Sequence, residues 1–143
     1  MSMLIAAIVF VPLLAVAIAH FIWSLGGTWP LRSRELLIKT VYGRPATTQM
    51  PSRLLTFAVA ILVLGAGIVA LSLADHDAGG WWLTLLGLLL AVLFLLRGAA
   101  GFTQRWRQVF TEEPFATLDR RTYSPLALII GVGFLVLTLM RLL

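Results

Sequence analysis

His20 is the first side chain able to carry chemistry in this sequence, and Trp23 and Ser24 follow it at three and four residues. In a helix those three share one face. The chain then breaks at Gly26-Gly27-Thr28-Trp29-Pro30, which brings a second indole close behind the first. Much later come Arg97 and the run Asp119-Arg120-Arg121-Thr122-Tyr123. These residue types offer a short menu. A guanidinium pairs with a carboxylate or grips a phosphate through two parallel hydrogen bonds. An imidazole exchanges a proton near neutral pH. No paired carboxylates, nucleophile–base motif or metal-ligand cluster stands beside them, so the reading assigns no catalytic residue, no metal and no cofactor.

Each residue also has a plain structural reading. Arg97 can snorkel to phosphates or pair with Asp119. His20 can be a packing histidine bonded to a carbonyl, a role we favour over proton transfer. Trp23 and Trp29 can be interface anchors. Asp119 can cap a turn, and Arg120 and Arg121 can be ordinary basic loop charge. What lifts them is convergence at one depth. The candidate binding set is His20, Trp23, Trp29, Arg97, Asp119, Arg120, Arg121 and Tyr123.

The elements that must position these groups follow from composition. Of 143 residues, 60% are hydrophobic and only 12% charged, half the charge that coats a soluble domain. Four apolar runs stand out, approximately 4–25, 54–74, 81–102 and 124–141. A hydrocarbon layer about 30 Å thick needs about 20 helical residues. Backbone groups in lipid must pair internally, so each run predicts a helix. The expected fold is all-α, one integral membrane domain spanning 1–143 as a four-transmembrane-helix bundle. Ala17-Ile18-Ala19 resembles a signal cleavage site, but nothing basic precedes the first run, so we expect that helix to be retained. There is no cysteine, which excludes disulfides, thiolate catalysis and cysteine-ligated metals.

Ten of the eleven basic residues fall in or beside the first and third connections. Asp75 to Gly80 carries none. The positive-inside rule makes the basic face cytoplasmic and places both termini on the outer side. His20 and His76 then lie on opposite sides and cannot share a metal. Arg97, sixteen residues beyond Trp81, sits about 24 Å down its helix, just inside the cytoplasmic boundary. Trp81 and Trp82 suit the outer aromatic belt; Trp29, Trp106 and Tyr123 suit the inner one.

The connections add detail. The brevity of Asp75–Gly80 predicts that the second and third spans form an antiparallel pair. Leu31–Tyr42 reads as a short amphipathic segment on the headgroups or as a solvated loop. Ser124-Pro125 predicts an N-cap followed by proline at the first position of the last helix. Small residues at Ala66 and Ala70, Gly87 and Ala91, and Gly131 and Gly133 predict close helix packing.

Two stretches carry a family resemblance. His20-Phe-Ile-Trp23-Ser-Leu-Gly26-Gly27-Thr-Trp29-Pro30 resembles the opening motif of small bacterial membrane proteins grouped as domain of unknown function 3995. Arg97-Gly98, Gly101 and Phe115 to Leu126 resemble the closing motif, the more specific of the two. The resemblance implies a multi-pass protein of the bacterial cytoplasmic (inner) membrane and no particular reaction. Family members often carry cysteine after the Ser-Pro-Leu; here it is Ala127, which argues against a thiol role.

Three functional classes follow. The first is a non-catalytic membrane protein that binds an anionic lipid headgroup or an acidic partner at its cytoplasmic face, alone, as a homo-oligomer or with another membrane protein. The second is a dimeric small-molecule transporter, which a carboxylate inside a span would favour. The third is a lipid-modifying enzyme with His20 as base and Arg97 as anion clamp. We take the first as the expectation. Nucleic acid is not an expected partner, because membrane topology already accounts for the basic residues.

Overall fold

Each apolar run becomes one long helix, because backbone N–H and C=O groups in hydrocarbon have no partner outside their own segment. A computed structural model describes residues 1–143. It contains α1 (Ser2–Ser24), α2 (Arg34–Val41), α3 (Arg53–Ala74), α4 (Trp81–Ala100), α5 (Gln104–Val109), α6 (Phe115–Leu118), a π-helical turn (Asp119–Tyr123) and α7 (Ser124–Leu142), with no strand. Four helices are long and apolar enough to cross a membrane: α1, α3, α4 and the continuous unit Phe115–Leu142. Their outward faces expose Leu4, Leu62, Leu89 and Val132. An apolar girdle of that extent suits lipid and not water.

The bundle is two tight pairs. α1 packs along α3, and α4 along α7; α1 also touches α7, closing the core around Val9, Leu73, Phe134 and Leu137. α3 and α4 follow each other through the short Asp75–Gly80 loop, yet they meet only sparsely. The expectation of a pair there is therefore met in sequence order but not in packing. The small residues lie at close helix contacts: Gly131, with Gly98, sits on the α4–α7 seam against the Leu95 backbone and Leu128, Gly87 faces Thr138 and Leu73, Gly133 faces Val9, and Ala66, Ala70 and Ala91 are buried. A tight seam on one side of α4 leaves a groove on the other.

Both chain ends lie at the same end of the bundle. Ser2 donates to the Ala74 carbonyl, and Arg141 donates to the carbonyls of Asp75, Ala78 and Gly79. The opposite end gathers α2, α5 and α6 and all the basic residues except Arg141. α2 is the amphipathic segment expected there. The Ser33 hydroxyl caps it by accepting from the Leu36 N–H, and Leu37 and Ile38 are buried beneath it.

The start of the last helix differs from expectation. Ser124 has helical dihedrals, φ −69° and ψ −45°, and its side chain caps nothing. The helix begins at Phe115 and passes through Ser124 by way of the π turn. Pro125 has no N–H, and its ring excludes the carbonyl four residues back. The π turn absorbs this by opening the ladder there: the Ser124 N–H bonds Asp119, five residues back. The serine hydroxyl is free for another use.

Candidate functional site

That use is Arg97. Its guanidinium donates to Asp119 Oδ1 at 2.5 Å and to Ser124 Oγ at 3.2 Å. Residues five apart in a regular α-helix point about 140° away from each other. The π turn closes over five residues, so Asp119 and Ser124 stack on one face and converge on one guanidinium. Trp106 completes the arrangement. Its Nε1–H donates to Asp119 Oδ2 at 2.9 Å, and its ring lies 4.5 Å from the Arg97 guanidinium carbon. Asp119 is 3% exposed, so both of its oxygens are taken up in a nearly dry site. The backbone of α4 must come very close for this, and Gly101 permits it: a methyl group there would sit 1.7 Å from Ser124 Oγ.

Beside this lock lies an apolar cavity of about 370 Å³, surrounded by α1, α2, α3, α4 and the Phe115–Leu142 unit. Its wall is hydrophobic except for His20 and Arg97, with the Tyr123 ring also lining it. The size falls at the lower end of ordinary ligand pockets. His20 Nδ1 lies 2.8 Å from the Val16 carbonyl. A carbonyl only accepts, so Nδ1 donates to it, and Nε2 has no hydrogen-bond partner within the chain. The plain reading of His20 as carbonyl-bonded thus holds for one of its two nitrogens. Trp23 packs on His20 with ring centroids 4.6 Å apart and donates to the Trp29 carbonyl at 2.7 Å. The Tyr123 hydroxyl donates to the Thr40 carbonyl at 3.2 Å, which ties α2 over the mouth of the bundle.

The candidate set therefore divides. His20, Trp23, Arg97 and Tyr123 line one cavity, and Asp119 sits behind Arg97. Trp29 contributes its carbonyl, while its indole is exposed. Arg120 and Arg121 are exposed and border a separate recess with Glu113 and Thr117. Trp106 is the residue that sequence reasoning left in the aromatic belt. It comes nine residues after Arg97 across the turn at Gly101, so no helical spacing links them. Two indole–arginine neighbours, Arg105 and Arg107, flank it and disguise the one that matters.

Four apolar helices with a polar lock and an apolar cavity at the basic end define a small membrane protein. The chain belongs to the family described as protein of unknown function (DUF3995), whose model matches residues 13–134. No curated protein and no solved structure matches it.

Proposed function

We propose that this protein binds an anionic membrane lipid at the basic end of the bundle, and that this end faces the cytoplasm of a bacterial inner membrane. The observation that carries the reading is the cavity. It is apolar, lies at the basic end of the bundle, and has His20 and Arg97 in its wall. The topology part rests on the placement of ten of eleven basic residues at that end. An acidic protein partner could engage the same charges, but would have no use for an apolar cavity within the span. The transporter reading wants a free carboxylate in a span; Asp119 is already bound to Arg97 and Trp106. The enzyme reading wants Arg97 free as a clamp, and the same bonds occupy it.

Ala127 lines the cavity from α7, and a larger side chain there fills it. Phosphatidylglycerol added to the detergent-solubilised protein should raise the melting temperature more than phosphatidylcholine does. In Ala127→Phe that increment should vanish. Equal increments in wild type and variant would mean that lipid acts elsewhere on the surface.

A further inference from the structure

A second cavity, also about 370 Å³, lies on the other side of Trp23. Its character is opposite. Arg34, Arg53, Thr48, Gln49, Ser52 and Thr56 contribute most of its wall. No carboxylate lies within 4.0 Å of either arginine: the ion pairs in the chain are Lys39–Glu35 and Arg97–Asp119. Neither guanidinium donates a hydrogen bond within the chain, whereas Arg97 and Arg141 both do. Arg53 reaches from the start of α3 across to Gly26, where a methyl group would come 3.1 Å from its Nη2. Gly26, at φ +94°, turns the chain out of α1 and leaves that approach open.

The apolar cavity also continues the other way. Val63, Phe94 and Arg97 line it and also line the groove between α3 and α4, whose remaining wall is Leu62, Ala66, Leu90 and Leu93. That groove exists because α3 and α4 diverge, and it opens on the lipid-facing surface. Three spaces thus adjoin in order: a lateral apolar groove, an apolar cavity inside the bundle end, and a polar cavity lined by two exposed guanidinium groups with no ion pair within the chain. Trp23 stands between the last two, and Val63 and Phe94 between the first two. The sequence of environments matches one kind of molecule, an amphiphile with a hydrocarbon tail and an anionic head.

We propose that Arg34 and Arg53 hold the anionic head of that amphiphile, a phosphate or carboxylate, while its chain runs past Trp23 into the apolar cavity and the α3–α4 groove. This rests on the lipid-binding reading above and goes beyond it in naming the head site, the chain path and a lateral entry past Phe94. It also moves the head contact away from Arg97, whose charge Asp119 already neutralises. Guanidinium groups suit the head because they present paired donors to a phosphate or carboxylate.

The test compares phosphatidylglycerol with phosphatidylcholine of the same chains, titrated against the full-length protein and followed by native mass spectrometry. A preference near a membrane-type arginine contribution is about fivefold per residue, or about 30-fold for two. Arg34→Gln with Arg53→Gln should abolish the preference and leave phosphatidylcholine binding in place. Arg105→Gln with Arg107→Gln, charges on α5 that are exposed like Arg34 and Arg53 but lie outside the cavity, should leave the preference intact. A preference that survives in the first pair, or is lost equally in both, overturns the head assignment. Glycerol phosphate, which has the head without chains, should not bind; saturation at the affinity of the lipid would assign the cavity to a soluble anion and overturn the proposal. Ala127→Phe separates the two layers, because it should weaken both lipids alike. If it weakens neither, the tail cavity is wrong whatever the arginines do.

Discussion

Replacing Arg97 with leucine should cost about 3–5 kcal/mol of stability, the range for breaking a buried ion pair by removing one partner. The size comes from what is left behind. Asp119 is 3% exposed, and losing Arg97 strips one oxygen of its only cation while Trp106 still holds the other. A carboxylate so placed must ionise unpaired or take up a proton, and both are unfavourable for the folded state. The loss of the Arg97–Trp106 cation–π contact adds to it. Asp119→Asn in the same chain should return part of the stability, because the stranded charge is gone. The reverse single change, Asp119→Asn alone, leaves Arg97 about a third exposed and able to reach water or headgroups, so it should cost less. Thermal or denaturant unfolding of the four proteins in one detergent measures the coupling. Strictly additive effects would show that the two residues do not depend on each other.

Gly101→Ala should be almost as damaging, although it adds only one methyl group. That methyl would lie 1.7 Å from Ser124 Oγ, 2.7 Å from Ser124 Cβ and 3.0 Å from Asp119 Oδ2. Ser124 is fully buried, so it has no open space to move into. Relief requires α4 and the π turn to separate, and that lengthens the Arg97 bonds to both residues. Overpacking of this kind costs about 1–3 kcal/mol, and the weakened ion pair comes on top. Ser124→Gly in the same chain removes both colliding atoms and should recover much of the loss. Ser124→Ala keeps Cβ and should recover less. A Gly101→Ala protein that melts with the wild type would mean the seam between α4 and α7 is looser than described.

The difference between these two predictions shows what could be read from the chain and what could not. Four apolar helices, the short Asp75–Gly80 loop and the basic end follow from hydropathy and charge, because lipid leaves a helix no alternative and Lys and Arg mark one face. The meeting of Arg97 with Asp119 was also legible, since two opposite charges at the same depth need each other. The π turn was not. Ser124-Pro125 carries the local signature of a helix start, and local signature is all that a sequence pattern reports. The hydroxyl is claimed instead by Arg97, twenty-seven residues away, and the widened turn removes the conflict with proline. Trp106 escaped for a related reason: its partners lie across a glycine turn and on a different helix. The polar cavity at Arg34 and Arg53 escaped because both arginines read as ordinary loop charge until Trp23 and Gly26 were seen beside them.

Native mass spectrometry of the gently extracted wild-type protein tests the lipid-binding claim most directly. The account predicts a bound species retained through purification, with the mass of an acidic lipid and enriched over its share of the surrounding membrane. Ala127→Phe, purified from the same membranes, should come out bare. A wild-type chain that flies without any adduct, or carries zwitterionic lipid in proportion to its abundance, would contradict the account.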